Sequence, residues 1–295
     1  MSIHPGPSRS LPFSPGDPAT FGGLALIPLF PAVAPVLDYL GLDEALTRGL
    51  LITEVDHAGS VSTLAVSNVL DVNVLLFEGE ELVGAKQNRI LDHSILVCAQ
   101  SRTPVPVSCV ERGRWSYRSQ SFASAPRTAY PELRRAKREG GDQSHVWSEV
   151  AAKARRLDAS SPTEASEEMY VSRRASLDDY VDRLPRLDGQ CGSIVCVAGR
   201  VVCLDYVGRP DVYAGLHAKL LQGYALDAIE QPMDAPLPGA YVASLLRRIA
   251  RATRTPSSAL GLGLDCRLET NRLVGSELLV DGETVALSVF PRAAA

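Results

Sequence analysis

Short connections between consecutive β-branched runs are the feature that most limits how this chain can fold. The runs lie at 61–68, 73–77, 89–97 and 105–110, and Gly and Pro residues punctuate the segments between and within them. Runs of this composition are typical of β-strands. A parallel pair of strands needs a crossover of a dozen or more residues, and these connections are too short to provide one. The pattern therefore predicts an antiparallel sandwich or partly closed barrel.

The last third of the chain predicts a unit in which hairpins are combined with helices. Two apolar runs at 193–197 and 201–206 predict a buried hairpin. Apolar stripes at helical spacing predict helices over 211–230 and 239–253. An Asp-Gly pair predicts a final hairpin over 277–290. We therefore predict an α+β fold, in which a β-rich N-terminal part packs with a C-terminal unit of hairpins and two or three helices.

Composition divides the chain into four stretches. Residues 1–19 are rich in Pro, Gly and Ser, which predicts a disordered tail. Residues 20–115 form the β-rich part, 116–188 combine an arginine-rich loop with a helical connection, and 189–292 form the α+β part. The ordered stretches could equally form one domain, because 295 residues suit one large domain or two packed ones.

The arginine-rich stretch begins where Gly, Ser and Arg replace aliphatic residues, at 113–143, and it predicts a functional or mobile loop. Helices are predicted over 143–157 and 177–184, and a shorter one over 37–48. The excess of positive charge in the loop suits phosphate, although a solvated basic loop fits equally well. The cations concerned are Arg118, Arg127, Arg134, Arg135, Lys137 and Arg138.

Charge and hydropathy exclude several classes of protein. The formal net charge is -4 and the mean hydropathy is +0.02, so we expect neither nucleic acid nor a membrane as partner. No run resembles a signal peptide or a spanning helix. The six cysteines lack metal-binding spacing, and most lie in apolar runs. These features predict reduced core thiols and a cytoplasmic location.

A polar cluster at 78–89 follows directly on an apolar run. Because side chains alternate along a strand, Glu78 and Glu80 would share one face. Gln87 and Arg89 would also share a face if their segment is extended. The alternative interpretation is a solvated hairpin tip whose charges pair with one another.

A second polar segment at 108–115 places Cys109 and Glu111 on a common face by the same alternation. If the two segments pair in one sheet, three carboxylates, a thiol, an amide and an arginine would line one surface. Closely spaced carboxylates can divide into an acid and a base, or can hold a hard cation. A packed core thiol is the stronger interpretation of Cys109, since no histidine lies nearby in the sequence.

The segments 76–89 (LFEGEELVGAKQNR) and 106–115 (PVSCVERGRW) resemble the signature of a bacterial domain family of unknown function. This family is named for its association with ADP-ribosylglycohydrolases and rhodanese-phosphatases, and the resemblance extends over about 21–291. The resemblance implies a role in NAD or ADP-ribose metabolism, in company with ADP-ribose-processing enzymes.

The residues and the resemblance together define a candidate site. Its carboxylates would act on ribose hydroxyls, a metal ion or water, and its arginines would hold phosphate. No cofactor is established, although the carboxylates could hold a divalent metal. The candidate catalytic residues are Glu78, Glu80 and Glu111. The candidate ligand-binding residues are Gln87, Asn88, Arg89, Cys109, Arg112, Arg114 and Trp115.

Two hypotheses on function follow. In the first, the protein binds or hydrolyses ADP-ribose, NAD or a related nucleotide, and an enzyme of this kind would be a hydrolase that uses carboxylates. In the second, it is a non-catalytic regulatory or interaction module that contacts ADP-ribose-processing enzymes through the basic loop at 118–139. The second hypothesis accounts for the missing His, Cys or Ser relay.

Overall fold

The computed structural model describes residues 10–233 and 235–292, and these residues adopt the predicted α+β fold. The largest sheet has nine strands drawn from both ends of the chain, and all its pairs are antiparallel. In spatial order, its strands are β1 (Phe13–Pro15), β3 (Leu24–Pro31), β13 (Gly192–Val197), β14 (Arg200–Val207), β18 (Glu283–Pro291), β17 (Leu273–Val280), β16 (Leu264–Glu269) and β15 (Arg254–Ser258), with β2 (Ala19–Phe21) beside β3.

The N-terminal half adds two smaller sheets. The strands of the six-stranded sheet are, in order, β12 (Phe122–Thr128), β8 (Glu80–Gly84), β9 (Arg89–Leu91), β11 (Ser101–Cys109), β6 (Thr63–Asn68) and β5 (Leu51–Glu54). Those of the three-stranded sheet are β10 (Ile95–Val97), β7 (Asn73–Leu76) and β4 (Tyr39–Gly41). Only the pair β4 and β7 is parallel among the described strands. This confirms the predicted antiparallel, β-rich part.

The helices lie against these sheets. They are α1 (Leu42–Thr47), α2 (Pro131–Arg138), α3 (Gln143–Arg156), α4 (Glu167–Val171), α5 (Arg174–Arg183), α6 (Pro210–Glu230) and α7 (Gly239–Arg251). Helix α6 is buried along most of its length and contributes to the largest hydrophobic cluster. It contacts β12, β13, β14 and β3, so it joins the two halves of the molecule. No helix in the described part of the chain is long and apolar enough to cross a membrane.

Three segments differ from the predictions. Strand β1 lies within the stretch expected to be a disordered tail, because Phe13 is buried and pairs with Pro31; residues 1–9 lie outside the described residues. The stretch 113–143, expected to be a loop, contains β12 and α2. The helix predicted over 37–48 begins only at Leu42, because the preceding residues form β4.

The predicted hairpins are confirmed at β13–β14 and β17–β18, and the predicted C-terminal helices at α6 and α7. All six cysteines are reduced thiols and five are buried, in agreement with the expected core role. Strand β13 pairs on its other side with β3, as in the contact of Ile194 with Ile27. The C-terminal hairpins and the N-terminal strand therefore share one sheet.

Candidate functional site

The two polar segments of the family signature are buried in the structure. They meet where β9 pairs with β11, with Arg89 opposite Cys109. Arg89 and Glu111 are fully buried, and Glu78 is 3% exposed. The interpretation as a solvated hairpin tip is therefore wrong, and the charges of these segments lie inside the protein.

Glu111 is the centre of the part of the predicted site that the structure brings together. Arg114 donates from Nε to Oε1 at 2.9 Å and from Nη2 to Oε2 at 2.6 Å. The backbone N–H of Asn88 donates at 3.1 Å and the hydroxyl of Thr163 at 2.9 Å. Burial acts to raise the pKa of Glu111, but these hydrogen bonds outweigh it and lower the pKa. The charged carboxylate thus fixes the positions of Arg114, Thr163 and the Asn88 backbone through these hydrogen bonds.

Gln87 connects Glu111 to Arg89. Its Nε2 donates to the backbone oxygen of Glu111 at 3.0 Å, and its Oε1 accepts from Arg89 Nη1 at 3.0 Å. The guanidinium of Arg89 lies 5.7 Å from the ring of Trp115. Burial raises the pKa of the Cys109 thiol, which therefore stays neutral at physiological pH. The structure thus groups seven of the predicted residues, namely Gln87, Asn88, Arg89, Cys109, Glu111, Arg114 and Trp115.

The remaining predicted residues lie elsewhere. Glu78 accepts a hydrogen bond from Arg138, whereas Glu80 accepts one from Lys219 Nζ at 2.9 Å. Arg112 is exposed and lies 3.8 Å from Glu164. The expected surface of three carboxylates is therefore not formed, because Glu78, Glu80 and Glu111 belong to separate ion pairs.

Most cations of the arginine-rich stretch are also held in ion pairs. Arg127 donates to both oxygens of Glu81, at 2.7 and 2.9 Å. Arg134 is fully buried and donates to both oxygens of Asp205 at 2.7 Å. The stretch is therefore not a solvated basic loop. The other paired cations are Lys137 with Asp92 and Arg138 with Glu78.

A cavity of about 890 Å³ lies in a different region, between α2, α3, α6 and the β13–β14 hairpin. None of the predicted site residues lines it. Five cations and three carboxylates do, so its wall carries an excess of two positive charges. The cations are Arg135, Lys153, Arg156, Arg200 and Arg292, and the carboxylates are Glu132, Asp227 and Glu230.

Lys153 lies among the three carboxylates, with its side chain fully buried. Its Nζ donates to Asp227 Oδ1 at 2.6 Å and to Glu230, and lies 3.8 Å from Glu132. Burial raises the pKa of Asp227, and the nearby ammonium of Lys153 opposes this. The three carboxylates form the one group with metal-ligand spacing among the described residues. The ammonium of Lys153 lies among them and supplies the positive charge that a metal ion would otherwise provide.

Two cations of the wall have no carboxylate partner among the described residues. These are Arg135, whose Nε is buried without a hydrogen bond, and Arg200 at the start of β14. By contrast, Arg156 pairs with Glu132 at 2.5 Å. The ring of Tyr241 lines the same cavity and is 36% exposed. The cavity therefore offers free guanidinium groups, carboxylates and an aromatic face in one space.

Sequence reasoning missed this cavity, although a signal was present. Lys153 falls on the apolar stripe of α3, three residues after Val150. Asp227 falls on the stripe of α6, three residues after Tyr224. A charge on the buried face of a helix needs a partner there. Two such charges on two helices, one of each sign, indicate that the helices meet at these residues.

Comparison with known families matches residues 13–290 to the ARG and Rhodanese-Phosphatase-superfamily-associated Protein domain. No curated protein and no solved structure matches the chain. The family name records association with ARG and rhodanese-phosphatase proteins, and it specifies no activity. The match covers most of the chain and agrees with the signature segments. The chain therefore belongs to the ARG and Rhodanese-Phosphatase-superfamily-associated Protein domain family.

Proposed function

We propose that this protein binds an ADP-ribose-like or NAD-like nucleotide in the cavity between α2, α3 and α6. The observation that carries the proposal is the pair of unpartnered guanidinium groups, Arg135 and Arg200, in the wall of a space of about 890 Å³. Cavities of 300–1,000 Å³ are typical of ligand sites. The family is named for its association with ARG proteins. The resemblance described above identifies these as ADP-ribosylglycohydrolases, which supports a ligand of this class.

The wall offers a partner for each portion of such a ligand. Arginine binds phosphate through two parallel hydrogen bonds, so Arg135 and Arg200 would hold the pyrophosphate. The carboxylates of Glu132 and Glu230 would accept hydrogen bonds from ribose hydroxyls. The exposed ring of Tyr241 would stack on the base.

Hydrolysis would use the carboxylates of this cavity. Burial raises the pKa of Asp227, which is the direction that a general acid requires, while the ammonium of Lys153 opposes this shift. A second carboxylate, Glu132 or Glu230, would activate water. The proposal thus places the acid and base chemistry in the cavity wall and not at Glu78 and Glu80, which do not line this cavity.

The alternative function is a non-catalytic module that acts with ADP-ribose-processing enzymes. The contact surface predicted for such a module is the basic stretch, but Arg134 and Arg127 of that stretch are buried in ion pairs. A partner would therefore have to contact other residues. No feature of the described residues favours this alternative over a nucleotide site.

The test is thermal unfolding in the presence of ADP-ribose, NAD, AMP, Mg²⁺ or Mn²⁺. A ligand at 100 times its Kd stabilises the folded state by about 2.7 kcal/mol. Each kcal/mol raises Tm by roughly 2–4 °C in a domain of this size class. We expect a selective rise with ADP-ribose or NAD, which Arg135→Ala and Arg200→Ala abolish. The matched control is Arg118→Ala, which removes an exposed arginine outside the cavity.

Two results would contradict the proposal. An equal rise in Tm for the wild type and both cavity variants would place the ligand elsewhere. No rise with any nucleotide would favour the interaction module, and affinity purification with a search for a bound partner enzyme would follow.

A further inference from the structure

Arg89 is a fully buried cation without a carboxylate partner among the described residues. Its guanidinium donates only to neutral oxygens, namely Gln87 Oε1 at 3.0 Å and the backbone oxygens of Asn88 and Ser60 at 3.4 Å. Its Nε is buried without any hydrogen bond. Arginine is almost never fully buried unless it is paired, since an uncompensated buried charge is costly. Arg89 therefore has no anionic hydrogen-bond partner in this part of the chain.

A second cation, Lys86, lies beside two exposed aromatic rings. Its Nζ lies 5.0 Å from the ring centre of Trp115 and 5.1 Å from that of Tyr117. The same Nζ donates to the backbone oxygens of His57 at 2.9 Å and Ala58 at 2.6 Å. Trp115 is 46% exposed and Tyr117 is 39% exposed. The two rings therefore form an open aromatic wall beside two cations.

The loop at 55–62 covers these groups with its backbone. Gly59 lies against them, because a Cβ at this position would be 3.2 Å from Glu54 Oε2 and 3.1 Å from Lys86 Cδ. That oxygen of Glu54 is buried without a partner. None of the residues 55–62 is fully buried. Besides the carbonyl contacts with the two cations, the loop is held by a hydrogen bond from the Val107 N–H to Ser62 O at 3.0 Å and by the His57 ring against Tyr117. A segment with few contacts and no buried residue opens at low cost.

We propose that the loop at 55–62 covers a second nucleotide site, which takes a nucleoside monophosphate when the loop moves aside. The phosphate replaces the loop carbonyls on Lys86 and Arg89, because a charged acceptor binds these donors more strongly than a neutral one. The base stacks on Trp115 and Tyr117. The freed oxygen of Glu54 accepts a ribose hydroxyl. None of these residues lines the cavity of about 890 Å³.

The experiment measures AMP binding in a chain that carries Arg135→Ala, Arg200→Ala and Trp147→Phe. The first two changes remove the cavity arginines, and the third leaves Trp115 as the only tryptophan, since the sequence has two. We expect AMP to change the fluorescence of Trp115 in a saturable way and to speed amide hydrogen exchange in 55–62. Adenosine and inorganic phosphate alone should each bind at least about tenfold more weakly, because each makes only part of the contacts.

Two further variants and one control variant in the same background decide the outcome. Lys86→Met should weaken AMP binding about tenfold or more, through loss of a charged hydrogen bond, whereas the control Arg267→Ala, at an exposed position on β16, should leave it unchanged. Gly59→Ala should tighten AMP binding, because the backbone there has φ +76 and the added Cβ crowds Lys86, so the closed loop is strained.

The proposal is overturned if AMP leaves Trp115 unaffected, if Lys86→Met binds AMP as well as its parent, or if Gly59→Ala weakens binding. Gly59→Ala keeps the test valid even if Lys86→Met does not fold. Because the background lacks the cavity arginines, these results do not depend on whether the cavity binds ADP-ribose.

Discussion

At the scale of single residues, the charges that the sequence offers for catalysis are mainly used inside the protein. Asp205 accepts hydrogen bonds from Arg134, Tyr224 and Ser288, all at 3.0 Å or less. Spacing along a strand predicts which side chains share a face, but it does not predict their partners on distant elements. The partner of Glu80, for example, is Lys219 on α6. For this reason the motif residues could be identified from the sequence, whereas their pairing could not.

The Arg134 and Asp205 pair should be essential for stability. Arg134→Ala leaves the Asp205 carboxylate buried and unpaired, which costs about 3–5 kcal/mol of unfolding free energy. Arg118→Ala, at an exposed position, should change it by no more than about 0.5 kcal/mol. Urea unfolding followed by circular dichroism measures both values. Equal stability of the two variants would show that the buried pair is not needed.

The lowered pKa of Glu111 predicts a dependence of stability on pH. Since the folded pKa lies below the unfolded value of about 4.3, the unfolded state binds the proton more tightly. The stabilisation is complete above the unfolded pKa and is lost as the pH falls through the folded pKa. Between pH 5 and pH 3 the wild type should therefore lose more unfolding free energy than Glu111→Gln. Parallel losses in urea titrations at each pH would contradict this.

At the scale of elements, the sequence predicts correctly those strands and helices whose apolar residues follow a regular pattern. The hairpin β13–β14 and the helix α6 carry continuous apolar patterns, and both are present. Strand β12 and helix α2 were missed, because Arg, Lys, Ser and Pro outnumber the large apolar residues in their sequence. Strand β12 forms by pairing with β8 and packing against α6. Tertiary contacts therefore stabilise these two elements, and local composition does not predict those contacts.

The turn before β8 should tolerate no side chain at Gly79. Gly79 and Gly140 both have positive φ, at +86 and +100, so alanine strains the backbone at either position. At Gly79 the added Cβ would also lie 2.7 Å from Arg134 Cδ, whereas nothing lies within 4 Å at Gly140. Gly79→Ala should thus cost about 1–3 kcal/mol more than Gly140→Ala in urea unfolding. Equal costs would mean that Arg134 moves aside freely.

At the scale of the whole molecule, the nine-stranded sheet joins the two ends of the chain. Strand β3 lies between β1 and β13, and α6 packs against both the large sheet and β12. The boundaries that composition suggests near 115 and 189 are therefore crossed by strand pairing and by helix packing. The resemblance to the family extends across the same boundaries.

This connectivity predicts one cooperative unfolding transition. Tryptophan fluorescence reports on Trp115 and Trp147, and hydrogen exchange can follow β17 and β18 at the other end of the chain. The two probes should give the same midpoint in urea, because two-state unfolding moves every probe together. Two separated midpoints would show that the halves unfold independently.

The position of β3 also affects how the protein is made in the cell. Residues 24–29 are all buried in the finished sheet, but their neighbour β13 is synthesised much later. Until then the nascent chain carries an apolar strand with an unpaired edge, and such edges promote aggregation. Pro28 and Pro31 lie within this strand and lack the N–H group that edge pairing requires. These prolines would protect the growing chain from self-association until β13 leaves the ribosome.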